Sequence, residues 1–237
     1  HLLINASPLT LARLTQQKLA FSPQEEGTAF KVNMLLKRLP ILKYPNVTPE
    51  DAFCGTFHIN QSYSQMEQSY REALAGQLPT LPPCEIYCHT LTDSSILSPQ
   101  LAAEGYHTLT LFGLDMPYNL FEKNPESTQK RVLDSYLEGI NAYLAEPLQD
   151  CLARDSEGKL CIEAKSAYDL EKELGLPRGN IFHRSLQWFF AENATEINQR
   201  GVETDFANVY LCGSSAKRGG AVSGIAGYHA AMKVLEN

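Results

Sequence analysis

The chain has 237 residues, enough for one large domain or two small ones with a sizeable buried core. Hydrophobic residues at 43% and charged residues at 20% exclude a disordered chain, and a formal charge of −7, from 27 acidic and 20 basic residues, argues against the clustered basic face that a nucleic-acid partner needs. The apolar runs are too short to cross a bilayer and no charged leader is visible, so the expected location is the cytoplasm.

The chain opens on His1-Leu2-Leu3-Ile4-Asn5, without a Met, and this apolar strand-like start reads as a cut from something longer. His1 to Ala6 is predicted to be a short buried strand. Ser7-Pro8 then opens a helix through Leu14, because Ser at the cap and Pro at the first helical position both suit a helix start. Lys31 to Leu36 alternates as a strand and ends at Leu39-Pro40, and Cys54 to Asn60 is a second candidate. Ser62 to Ala75 reads as a helix with Ser62 or Ser64 as cap and Gly76 as the stop. Cys84 to Leu91 and His107 to Leu114 are predicted strands.

The clearest helix runs from about Glu126 to Leu144, where Val132, Leu133, Tyr136, Leu137, Ile140 and Leu144 form one apolar stripe. A shorter helix spans Ala167 to Leu174 and stops at Gly175. Near the end, Asn208 to Cys212 is a β-branched and apolar run closed by Gly213. A glycine-rich turn follows, then a helix from about Val222 to Leu235.

The six cysteines, at 54, 84, 88, 151, 161 and 212, are too sparse for a disulfide scaffold, and reduced thiols are the expectation. Alternation along the predicted strand puts Cys88 and His89 on opposite faces, and no second ligand pair follows, so no metal site is expected. The N-x-Ser/Thr tripeptides at Asn46, Asn60 and Asn193 are read as chance matches.

Strands and helices alternate at both ends and mix irregularly in the middle. The predicted fold is therefore mixed α/β and α+β: a partial Rossmann-like dinucleotide-binding domain built from residues 1–29 and 193–237, with an inserted antiparallel α+β substrate domain at 30–192.

The stretch Val209-Tyr210-Leu211-Cys212-Gly213-Ser214-Ser215-Ala216-Lys217-Arg218-Gly219-Gly220-Ala221-Val222-Ser223-Gly224 carries the chemistry. A buried strand leads through glycines into a helix start, where unpaired N–H groups and the positive end of the helix dipole favour negative charge. Glycines let a ligand approach the backbone closely. The site suits a phosphate or the electron-rich edge of a reduced flavin, with Lys217 and Arg218 adding positive potential. The spacing is neither GxGxxG nor a Walker loop, and an ordinary turn is the alternative reading.

Leu211-Cys212-Gly213-Ser214-Ser215 followed by Gly219-Gly220-Ala221-Val222-Ser223-Gly224 resembles the C-terminal FAD signature of phytoene-dehydrogenase-like flavoproteins, and more narrowly that of relatives of pyridine nucleotide-disulphide oxidoreductase domain-containing protein 2. Ile4-Asn5-Ala6-Ser7-Pro8 resembles the family's return into the FAD domain. Ser94 to Leu97 with Pro99 falls where the family has a loop between two strands of its substrate domain. Gly175-Leu176-Pro177-Arg178-Gly179-Asn180-Ile181-Phe182-His183 resembles its Gly-Leu-Pro-x-Gly-Asn-Ile-Phe-His segment. The matches occur in order and cover essentially the whole chain.

The resemblance implies an FAD-dependent oxidoreductase acting on an apolar, isoprenoid-like small molecule, with peripheral membrane association as a mode of contact. Gly213 and Ser214 would lie near the ribityl chain and pyrophosphate, and Gly219, Gly220, Val222 and Ser223 would line the flavin. Ser214 stands where the wider group often has an acidic residue, Ala221 stands for a third glycine, and Trp188 to Asn193 replaces an Arg-Pro pair. No GxGxxG unit occurs, so the N-terminal FAD-binding half is the implied partner, and this portion alone is expected to be inactive and colourless. Two other readings stay open: a non-catalytic binding module that kept the flavoprotein fold without flavin, and a purely structural fragment.

The catalytic residues are left open. His183 is read first as a hydrogen-bonded structural residue and second as an acid/base near the flavin. Trp188-Phe189-Phe190 is read as core packing, and Asp115 to Tyr118 as a strand-end turn.

Overall fold

A Ser or Thr followed by Pro starts three helices in the same way. Ser7, Thr48 and Ser98 each hold an extended backbone and accept the N–H three residues on, from Thr10 at 3.1 Å, Asp51 at 3.1 Å and Leu101 at 3.3 Å. The computed structural model in which these caps are seen describes residues 1–18, 25–184, 190–217 and 222–236. In it the strands are β1 (Leu2–Ile4), β2 (Phe30–Leu36), β3 (Thr56–Ile59), β4 (Cys84–Tyr87), β5 (His107–Gly113), β6 (Ile162–Lys165) and β7 (Val209–Leu211). The α-helices are α1 (Pro8–Leu14), α2 (Pro49–Phe53), α3 (Tyr63–Leu74), α4 (Pro99–Ala103), α5 (Pro125–Asn141), α6 (Leu148–Cys151), α7 (Ala167–Leu174) and α8 (Ile225–Leu235).

The chain divides into two units: Thr28–Tyr168, and His1–Gly27 with Asp169–Asn237. The fold is thus mixed, with an antiparallel sheet in the first unit and a parallel pair in the second.

In the Thr28–Tyr168 unit the sheet order is β3-β4-β5-β2-β6, antiparallel throughout. Alternation along β2 buries Phe30, Val32, Met34 and Leu36 on one face, beside Leu109 and Leu111 of β5. The α5 stripe of Val132, Tyr136, Leu137 and Ile140 joins this core. Each fully buried side chain of this size contributes about 1.5–3 kcal/mol. Tyr136 lies across Gly113, where a Cβ would collide with its ring, and its hydroxyl donates to the Leu114 carbonyl at 3.2 Å.

In the other unit β1 and β7 are parallel, with Leu2 opposite Val209, Leu3 opposite Tyr210 and Ile4 opposite Leu211. Val202, Tyr210, Leu211, Ala216, Ala226 and Ala230 form its small core, with Ile4, Leu11 and Val234 packed against it. The two chain ends meet here, each a strand followed by a helix.

Several expectations need correction. β1 is not buried: Leu2 is 56% and Leu3 47% exposed, because among the described residues the only strand beside it is β7. The predicted strand from Cys84 stops at Tyr87, and His89–Leu91 turns into a 3-10 helix. There the Thr90 hydroxyl, instead of a backbone carbonyl, accepts the Thr108 N–H at 3.1 Å. The strand expected from Cys54 begins at Thr56, since Cys54 closes α2. The last helix starts at Ile225 rather than Val222, because Gly224 is left-handed at φ 74°.

Candidate functional site

The parallel pair ends on one side at Asn5 and Gly213. Cys212 N–H donates to the Ile4 carbonyl at 2.9 Å, extending the ladder one residue beyond β7. Gly213 lies so close to Asn5 that a Cβ there would collide with the Asn5 side-chain oxygen. Ser215, 1% exposed, donates to the Ala6 carbonyl at 2.6 Å and fixes the turn to the chain leaving β1. The carboxyl ends of neighbouring parallel strands are where open α/β sheets place ligands.

A second segment meets this turn. After α7 the chain takes four left-handed positions, at Gly175 (φ 67°), which ends the helix, and then at Arg178 (φ 45°), Gly179 (φ 65°) and His183 (φ 67°). Asn180 organises them. Its side-chain oxygen accepts the Phe182 N–H at 2.8 Å, its carbonyl accepts the His183 N–H at 2.8 Å, and its amide donates to the Glu25 carbonyl at 2.7 Å. Arg178 pairs with Glu26 at 3.0 Å. Gly27 packs so tightly on the Gly179 backbone that a Cβ at position 27 would collide with it. The result brings Nε2 of His183 to 3.1 Å from the Ser214 hydroxyl. Burial pushes the His183 imidazole below its ordinary pKa and so favours the neutral ring. Among the described residues its Nδ1 is buried without a hydrogen-bond partner.

Of the residues singled out from the sequence, Gly213 and Ser214 lie at this junction. Val222 is fully exposed, and the Ser223 hydroxyl accepts the Ile225 N–H at 3.3 Å, ahead of α8. Gly219, Gly220, Arg218, Ala221, Trp188 and Phe189 lie outside the described residues.

Two readings change. Lys217 does not lend free positive charge to the turn: it is ion-paired with Glu196, a buried carboxylate that also accepts from the Asn193 amide at 2.7 Å. Phe190 is 69% exposed rather than packed in a core. The His183–Ser214 pair was missed as a pair because the partners are 31 residues apart; the one signal available was the shared family resemblance of both segments.

The Thr28–Tyr168 unit has its own cavity of about 590 Å³, lined by Leu35, Ile96, Leu160, Thr110, His89 and Glu163 among others. Asp115 to Tyr118 do not line it; Met116 and Tyr118 are buried in the turn that follows β5. Among the described residues no helix is long and apolar enough to cross a membrane, and no His, Cys, Asp or Glu cluster could hold a metal ion.

No protein-family model matches the chain. Over 238 residues, 98% of the chain, it is 47% identical to a protein of Mycobacterium tuberculosis named as uncharacterized, and equally to one of Mycobacterium bovis; the match covers 44% of each. Over 217 residues, 87% of the chain, it is 31% identical to pyridine nucleotide-disulfide oxidoreductase domain-containing protein 2 of Rattus norvegicus, covering 35% of that protein. The mouse protein of the same name is 30% identical over the same length. The chain thus spans less than half the length of these relatives. The likeness to the rat and mouse proteins supports a link to an oxidoreductase family.

Proposed function

We propose that this chain is the C-terminal portion of an FAD-dependent oxidoreductase of the phytoene-dehydrogenase-like class, and that its Gly213–Gly224 turn faces the flavin. The observation that carries the reading is the junction of Gly213 with Asn5 at the carboxyl ends of two neighbouring parallel strands. The sequence likeness to oxidoreductase-named proteins supports it independently. So does exposed apolar surface on the same unit: Leu2, Leu3, Val222 and Tyr228 stand open beside a two-stranded parallel sheet, and parallel sheets are covered on both faces. The polypeptide encoded upstream of His1 would supply the covering strands and the pyrophosphate-binding unit.

The residues present fit an uncharged part of FAD better than its phosphates. Ser214 and His183 are neutral hydrogen-bonding groups, and the Lys217 charge is taken by Glu196. Gly213 and Ser214 would border the ribityl chain, and Gly219, Gly220, Val222 and Ser223 the ring. Bound flavin supplies two-electron transfer; the chain's own residues hold it in place and exclude water. The substrate would be an apolar, isoprenoid-like molecule, met in the Thr28–Tyr168 unit, with contact at a membrane surface as its source.

The test is Gly220→Val in the protein reunited with its upstream half. The added side chain blocks close approach, so FAD retention is lost while the Thr28–Tyr168 unit stays folded. A variant that keeps wild-type flavin content would make the turn an ordinary one.

A further inference from the structure

His183 combines three features that a structural histidine does not require together. Its backbone is left-handed at φ 67°, a conformation that costs a non-glycine residue energy and survives only where the surroundings impose it. Here Asn180 imposes it, through its carbonyl to the His183 N–H and its side chain to Phe182 and Glu25. The second feature is that one ring nitrogen is already satisfied, Nε2 against the Ser214 hydroxyl at 3.1 Å. The third is that Nδ1 is buried with no partner among the described residues. An unpaired buried polar atom is unfavourable, so a strained loop that ends in one points to a group supplied from outside.

The chemistry of that group follows from the ring. A neutral imidazole has one donor and one acceptor nitrogen, and the Ser214 hydroxyl can take either role toward Nε2. Nδ1 is accordingly an acceptor in one tautomer and a donor in the other. A hydroxyl serves both, because it donates and accepts.

We propose that Nδ1 of His183 binds a ligand hydroxyl, completing a chain from the Ser214 hydroxyl through the imidazole to a polyol, and that this polyol is the ribityl chain of the flavin. The inference rests on the flavoprotein reading above and adds to it the residue that recognises the sugar-alcohol chain. His183 is on this account a binding and positioning residue, and Ser214 orients its ring.

The experiment separates the ring of the flavin from its chain. The protein reunited with its upstream half is stripped of FAD and titrated by fluorescence with riboflavin, which carries the ribityl chain, and with lumiflavin, which lacks it. Wild-type protein binds riboflavin more tightly than lumiflavin. His183→Phe weakens riboflavin roughly tenfold, the worth of one buried hydrogen bond, and leaves lumiflavin within about twofold. His183→Asn tolerates the left-handed backbone but is shorter, and shows the same selective loss. Unchanged lumiflavin affinity also reports that the variants are folded. An equal loss for both ligands, or none for riboflavin, overturns the role of His183 while the flavin reading stands. If wild-type protein binds neither ligand nor FAD, both fall.

Discussion

Ser215 donates its hydroxyl to the carbonyl of Ala6 at 2.6 Å, joining two points 209 residues apart in the chain. Together with the Cys212 N–H on the Ile4 carbonyl at 2.9 Å, this bond holds the glycine turn to the chain leaving β1. Ser215→Ala leaves the carbonyl without its donor and costs about 1–3 kcal/mol. Native-state hydrogen exchange reads the effect locally. The Leu211 and Cys212 amides lose protection while those of β2 and β5 keep theirs. Equal loss at all four places would mean that the bond does not act on the turn.

Gly113 and Tyr136 define a tighter constraint in the other unit. A methyl group at 113 enters the ring of Tyr136, which is 1% exposed and has nowhere to move. Gly113→Ala therefore costs about 1–3 kcal/mol by overpacking. In a Tyr136→Leu background the same substitution costs much less, so the two changes are non-additive in urea denaturation. Additive losses would show that the ring does not set the limit at Gly113.

The thiols separate by burial. Cys54 is exposed. Burial, with Glu85 beside it, pushes the Cys84 thiol up to about 12, and burial with Glu146 near pushes Cys151 up to about 11. Since the thiolate is the nucleophile, iodoacetamide at pH 8 labels Cys54 within minutes and leaves Cys84 and Cys151 unlabelled until urea unfolds the chain. Peptide mass spectrometry reads this directly, and early labelling of Cys84 would show that its strand opens.

Stability also falls on mild acidification. Burial lowers the pKa of His183 in the folded protein, so the unfolded chain takes up a proton first, near pH 6.5. The contribution is whole above that pH and is lost as pH falls toward the folded value. Burial acts on His107 in the same direction, so the comparison must be with a variant. Between pH 8 and 5.5, His183→Asn loses less stability than wild type in urea titrations. Identical pH profiles would mean that His183 is not the half-buried neutral ring described.

Much of this was legible locally. The Ser7-Pro8 start, the Ser62 cap and the α5 stripe are short-range patterns, and they are found where expected, except that α5 ends at Asn141 and Leu144 reaches the core from beyond the helix. Thr48-Pro49 carries the same start signal as Ser7-Pro8, and it opens the short α2 just ahead of the strand expected from Cys54. The misreadings share a different cause: each depends on a neighbour distant in sequence. Leu2-Leu3-Ile4 is apolar enough for a central strand, yet its exposure is decided by what stands beside it. Lys217 reads as free charge until Glu196 is placed against it. His183 reads as a lone histidine until the turn at Ser214 reaches its ring. The start of α8 differs because Gly224, part of the glycine-rich turn in the sequence, is the left-handed cap that precedes the helix.

The central claim is that this chain completes a flavin site and does not form one alone. The measurement is the ratio of FAD to protein, by absorbance and by fluorescence after heat release, for the 237-residue chain alone and for the chain co-expressed with the polypeptide encoded upstream of His1. The account predicts a colourless chain and a yellow complex holding one FAD per chain. Stoichiometric FAD on the chain alone, or a complex that assembles and holds none, would contradict it.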